Sequence, residues 1–293
     1  MPESAVAGEG RAVQSSGQPF GSRMALAMAE RGPLCVGIDP HPGLLAEWAL
    51  NDDVAGLERF SLTVVEAVAD LAAAVKPQVA LYERHGSAGM AVLERTLGEA
   101  SRAGVLTIAD AKRGDIGSTM AAYADAWLRD GSALAADSVT LSPYLGFESL
   151  RPALDLAAEH GRGVFVLALT SNPEGKSVQH VGGTDSVARR IVDSAAAENL
   201  RYAGTLGSVG LVVGATIGSA LTELEIDLKA VRGPILAPGL GAQGATAADL
   251  KATFGDAFPS VLATSSRGIL AAGPSIAGLR GATEAARDGL RGA

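Results

Sequence analysis

Residues 105–120 read VLTIADAKRGDIGSTM, and within six positions they supply two carboxylates and an ammonium, Asp110, Lys112 and Asp115. The apolar run from Val105 to Ala109 has the pattern of a buried parallel strand. If that strand continues through residue 112, its two-residue period puts Asp110 and Lys112 on one face. Gly114 then breaks the strand, and Asp115 opens a turn into the next helix. Three charges at the end of a buried strand are costly to hold in place. One reading is a catalytic cluster in which a carboxylate keeps an ammonium charged and aimed. The other is a strand-end salt bridge, with Asp115 as the N-cap of the following helix. The motif alone leaves both open.

A second group of residues suits an anion. Residues 238–244 read PGLGAQG, three glycines that let a backbone approach a ligand and aim its N–H groups. Further on, SSRG (265–268) offers Arg267, whose forked donors match phosphate oxygens. A glycine loop by itself can be only a tight turn. The loop and the arginine together favour phosphate, given the elements that carry them.

Those elements alternate. Apolar runs at 34–38, 75–81, 105–110, 138–142, 163–169, 208–214, 234–238 and 260–265 read as strands. Helical patterns follow them, around 56–74, 86–103, 117–130, 147–160, 183–203, 218–231, 246–254 and 274–290. Eight strand–helix units in about 250 residues are the arithmetic of a (β/α)8 TIM barrel. A doubly wound open sheet is the runner-up. In a barrel the chemistry sits at the C-terminal strand ends, and strands 7 and 8 often build a phosphate site there. Strand 1 ends in Asp39, strand 3 carries Asp110 and Lys112, and strand 5 runs into Thr170, Ser171 and Asn172. Lys76 fits least well, because it lies early in its apolar run. The irregular stretch 170–184 has the length of a binding loop. The Gly, Ser, Ala and Gln content of the start predicts a disordered lead-in over 1–20, and the absence of a linker after residue 20 predicts a single domain over 21–293.

Composition narrows the function. The chain has 293 residues, 47% of them hydrophobic, ample for one large core. A net charge of −8 leaves no basic footprint for nucleic acid. No apolar run reaches the 18 or so residues of a membrane span, and the N-terminus lacks the pattern of a secretory signal. The single cysteine, Cys35, cannot form an internal disulfide, reads as a core residue and suggests a reducing cytoplasm. His41, His85, His160 and His180 show no metal-ligand spacing, so no metal is expected.

Taken in order, GIDPHP (37–42), VKPQ (75–78), DAKRGDIGST (110–119), LTSN (169–172), PGLGAQG (238–244) and SSRG (265–268) resemble the orotidine 5′-phosphate decarboxylase family. The resemblance covers about residues 20–290 and is similar to the longer bacterial branch of that family. It implies a cofactor-independent (β/α)8 homodimer that makes UMP and CO2 from orotidine 5′-phosphate. It implies that Asp39 and Lys76 bind ribose hydroxyls and hold the charged network. Asp110 would lie beside the substrate carboxylate, and Lys112 would protonate C6 as CO2 leaves. Asp115, with Thr119 beside it, would reach the partner's site. Ser171 would meet the pyrimidine edge, and Gln243, Arg267 and the Gly268 N–H would hold the phosphate. Past Asn172 the fifth loop does not align closely with the family.

This chemistry suits the residues. Losing CO2 from C6 leaves an in-plane carbanion that the ring cannot delocalise, and an adjacent ammonium stabilises it directly. Binding energy from the distant phosphate can then be used at the transition state. Three other readings remain. Metal-dependent sugar-phosphate decarboxylases and hexulose-phosphate synthases share D-x-K-x-x-D on the same barrel. A non-catalytic nucleotide-binding barrel is the second. A Schiff-base aldolase would need Lys112 neutral, against the influence of the flanking aspartates.

Overall fold

A computed structural model describes residues 17–202, 206–241 and 244–292. Its strands are short runs buried along most of their length, as the solid apolar segments require. They are β1 (Leu34–Ile38), β2 (Ala74–Pro77), β3 (Leu106–Arg113), β4 (Ser138–Leu141), β5 (Gly163–Leu169), β6 (Val209–Val213), β7 (Ile235–Pro238) and β8 (Val261–Ser265). Each pairs in parallel with the next, and β8 pairs with β1 to close the barrel. The fold is therefore the single-domain (β/α)8 barrel and not the open sheet.

Two apolar clusters hold it. The larger lies between the outward faces of the strands and the surrounding helices. The smaller fills the barrel with Cys35, Ala74, Ile108, Phe165, Val212, Leu236 and Leu262. Strand parity turns this inner layer into a map of the site. Stepping by two residues toward the strand ends, Cys35 leads to Gly37 and Asp39, and Ala74 leads to Lys76 and Gln78. Ile108 leads likewise to Asp110, and Leu262 to Thr264 and Ser266. Buried Cys35 is a core residue, as expected, and burial pushes its thiol up to about 12.

A helix absent from the sequence reading, Phe20–Arg31, closes the N-terminal end of the barrel. Phe20 and Met24 are fully buried in the inner cluster, and the Phe20 ring meets Phe165 edge-on at 5.9 Å. The helix starts at Phe20, the last residue of the expected lead-in, and residues 1–16 of that lead-in lie outside the described residues.

Other boundaries also move. β2 stops at Pro77, and the rest of its predicted run enters a short helix, Ala80–Glu83. An apolar run of that length fits either element. The consequence is that Lys76 sits one residue from the strand end, which removes the objection to it. The helix expected over 218–231 is reduced to Ala220–Glu223 and a turn at Lys229–Val231. The stretch 170–184 contains short helical turns at Pro173–Gly175, Lys176–Gln179 and Gly183–Asp185. Among the described residues, no helix is long and apolar enough to cross a membrane.

Candidate active site

A cavity of about 330 Å³ opens at the C-terminal mouth of the barrel, and Asp39, Lys76, Asp110, Lys112 and Ser171 all line it. Asp110 is its electrostatic centre. Lys76 Nζ donates to Asp110 Oδ2 at 2.8 Å, and Lys112 Nζ donates to Oδ1 at 2.6 Å. The Thr140 hydroxyl donates to Oδ1 at 3.0 Å. With its NH2 turned inward, the Gln78 amide adds a donor 3.1 Å from Oδ2.

Burial sorts the two lysines. The Lys76 side chain is 7% exposed and that of Lys112 is 47% exposed. Lys76 is thus a largely covered charge in the cavity floor, and Lys112 is the more exposed ammonium. Burial opposes the charge on Lys76, but Asp110 and then Asp39 outweigh it and raise its pKa. Burial likewise opposes ionisation of Asp110, but Lys76 and then Lys112 hold its carboxyl down to about 2. The ion pair of the alternative reading is therefore real. It faces an open cavity, however, where a purely structural pair would be covered.

The backbone under Lys112 is unusual. Its φ is +48°, in the left-handed region that a long L-residue rarely adopts, at a typical cost of about 1–3 kcal/mol. The β3–β4 register shifts between Ala109 and Arg113, and the Lys112 N–H donates to Thr140 Oγ1 at 2.9 Å. The next residue anchors the bend. Arg113 pairs with Glu83 and lies 5.7 Å from the Tyr123 ring centroid and 5.8 Å from that of Trp127. Gly114 passes so close to β4 that a Cβ there would lie 2.3 Å from the Ser142 carbonyl oxygen.

The remaining candidates fall around the rim. Asp39 Oδ2 accepts from Ser266, while Oδ1 is buried without a partner among the described residues. Asp39 itself lines the cavity. Ser171 stands beside Thr170, whose N–H and hydroxyl bond the two ends of the Gln179 amide at 2.8 Å each. Asp115 is not the cap of the following helix: that cap is Ile116, and Asp115 Oδ1 accepts from the Ile116 N–H at 2.8 Å. Neither Asp115 nor exposed Thr119 lines the cavity of its own barrel. Arg267 and Gly268 are exposed at the start of the short helix Arg267–Leu270, outside the cavity lining. Gly239, Gly241 and Gly244 take φ values of 127°, 76° and 87°, which only glycine adopts freely. Gln243 lies outside the described residues.

Three contributors were missing from the sequence reading: Gln78, Thr140 and Ser266. Each was detectable as an inward position at a strand end, had parity been carried across all eight strands. A larger recess, about 830 Å³, lies among Arg23, Thr107, Asp137 and Arg162 at the opposite end of the barrel. Its Arg23 and Arg162 are already paired with Asp137 and Asp130. Among the described residues, no group of three or more His, Cys, Asp or Glu side chains could hold a metal ion.

Residues 32–282 match the Orotidine 5′-phosphate decarboxylase / HUMPS family. The chain belongs to that family. Over 269 residues it is 60% identical to a protein of Salinispora arenicola named orotidine 5′-phosphate decarboxylase, covering 91% of this chain and 95% of that one. A Streptomyces coelicolor protein of the same name is 58% identical over 271 residues, with the same shares covered. A crystal structure of a candidate orotidine 5′-phosphate decarboxylase from Streptomyces avermitilis superposes with a TM-score of 0.90 at 54% identity, covering 98% of this chain and 99% of that one. In this family's barrel, the cavity just described occupies the end where (β/α)8 enzymes carry out their chemistry.

Proposed function

We propose that this chain is an orotidine 5′-phosphate decarboxylase, releasing CO2 and forming UMP in de novo pyrimidine synthesis. One observation carries the reading: a half-exposed ammonium, Lys112, is held on an ionised, buried Asp110 inside an open cavity. The C6–carboxylate bond breaks, its electron pair stays on C6, and Lys112 supplies the proton that completes UMP. Asp110 keeps Lys112 aimed and crowds the departing carboxylate. Lys76 neutralises Asp110 and, with Asp39, meets the ribose hydroxyls. Ser171 meets the pyrimidine edge. Gln243, Arg267 and the Gly268 N–H hold the phosphate. Arg267 is exposed at the start of its short helix, and its forked guanidinium suits phosphate oxygens.

The active form in this reading is a homodimer. Ile116, Tyr144 and Leu145 expose large apolar side chains on the loops after β3 and β4, the sort of patch that a second copy covers. Asp115 and Thr119 lie on the same rim and would enter the partner's cavity. The enzyme works in the cytoplasm as one domain, without cofactor, metal, nucleic acid or membrane. Mixing the pure protein with orotidine 5′-phosphate after exhaustive chelation, and following the ultraviolet absorbance, tests this. Full-rate conversion to UMP is expected. Activity that returns only with Mg2+ moves the assignment to the metal-dependent relatives.

A further inference from the structure

A single hydroxyl joins the two halves of the Asp110–Lys112 pair. Thr140 is buried on β4, where its Cα pairs with Phe165 of β5. Its Oγ1 accepts the Lys112 N–H at 2.9 Å and donates to Asp110 Oδ1 at 3.0 Å. That same oxygen accepts Lys112 Nζ at 2.6 Å. The contacts close a ring through the Lys112 main chain, the Thr140 hydroxyl, the Asp110 carboxylate and the Lys112 ammonium. A hydroxyl has one proton, so with the amide on its lone pair that proton goes to the carboxylate.

The ring stands where the β3–β4 ladder fails. Pairing jumps from Ala109–Val139 to Arg113–Leu141, so the Lys112 N–H meets a side chain where a regular strand would offer a carbonyl. Lys112 takes its left-handed φ of +48° at this point. Thr140 does not line the cavity, and its hydroxyl reaches the site through Asp110 and the Lys112 main chain.

We propose that Thr140 is a positioning residue for the decarboxylation. Its hydroxyl sets the backbone from which Lys112 projects and orients the carboxylate oxygen that aims the ammonium at C6. This rests on the reading of Lys112 as the proton donor. An aimed donor gains its rate from geometry, and misplacement by about 1 Å can cost about a hundredfold.

The test compares wild type, Thr140→Val and Thr140→Ser in full-length protein, measuring kcat and KM for orotidine 5′-phosphate and the affinity for UMP. Valine keeps the volume and removes the hydroxyl, and serine keeps the hydroxyl. Thr140→Val is expected to lower kcat by about 10- to 100-fold, with KM and UMP affinity within about threefold of wild type. Thr140→Ser is expected to stay within about fivefold of wild-type kcat. The proposal is overturned if the valine variant keeps its kcat, if serine falls as far as valine, or if kcat and UMP affinity are lost together. Should valine fail to fold, Thr140→Ala carries the same expectation. If both unfold while serine folds, the hydroxyl is structural and the proposal fails. An inactive wild type overturns the decarboxylase reading itself, and the proposal with it. An active wild type beside an unimpaired valine variant overturns only the role of Thr140.

Discussion

Lys112 occupies a backbone conformation that costs energy, and the residues around it compensate through Asp110, Thr140 and Arg113. Its side chain is half-exposed, so Lys112→Ala should fold normally and lose at least about a thousandfold in kcat, within the range for a lost proton donor. Near-normal turnover in the folded variant would remove Lys112 from the mechanism. Asp110 makes a prediction about pH. Its folded pKa lies near 2, below the ordinary 3.8, so its ionised form adds stability that is complete above about pH 4. That stability is lost as pH falls through about 2. The denaturation gap between wild type and Asp110→Asn should therefore stay constant from about pH 7 to 4 and close only below that. A gap that already shrinks near pH 5.5 would mean that the lysines do not hold Asp110 ionised. If Arg267 holds the phosphate, Arg267→Ala should cost about 2–3 kcal/mol in kcat/KM for the phosphorylated substrate. Turnover of dephosphorylated orotidine should be nearly unchanged, and equal losses for both would place Arg267 away from the phosphate.

At the scale of elements, the end of β3 decides whether the site exists. The strand carries Asp110 on its regular part and Lys112 on its irregular part, and the crossing against β4 is closed by Gly114. A methyl group at residue 114 would lie 2.3 Å from the Ser142 carbonyl oxygen, a backbone atom with no rotamer to yield. Gly114→Ala should therefore destabilise the protein by about 1–3 kcal/mol and lower kcat as the Lys112 backbone shifts. Thermal melts and steady-state kinetics would check both; a neutral result would mean that the strands can separate without cost. The eight apolar runs were legible because strands covered on both faces need little else. The run 75–81 misled because its last residues suit a helix equally well, and only packing over β2 settles where the strand stops. The Phe20–Arg31 plug escaped notice because two buried anchors, Phe20 and Met24, make a faint pattern until a barrel end needs closing.

At the scale of the whole molecule, the open question is how many chains build one site. Asp115 and Thr119 stand outside their own cavity, beside an exposed apolar rim. If they complete a partner's site, two inactive variants, Lys112→Ala and Asp115→Ala, should rescue each other on mixing. A mixed dimer collects both defects in one site and neither in the other. Random exchange makes about half the dimers mixed, so about a quarter of wild-type activity should return. Inactive variants that exchange subunits and recover nothing would end the shared-site reading. An Asp115→Ala variant that keeps most of its activity alone would end it as well.

Strand–helix alternation, the charges of DAKRGD and the glycine loop with Arg267 are local properties of the chain, and they determined the barrel and the chemistry it could host. Parity along a strand is also local, which is why Asp110 and Lys112 could be placed on one face in advance. The tertiary structure decided what depends on contacts between strands distant in sequence. It set Lys76 beneath Asp110 from the neighbouring strand, and it brought Thr140 across a broken ladder to hold Lys112 in a left-handed turn. It also turned Asp115 out of its own cavity. A register shift and a positive φ are compromises between two strands, and a single strand's sequence carries no record of the partner that imposes them.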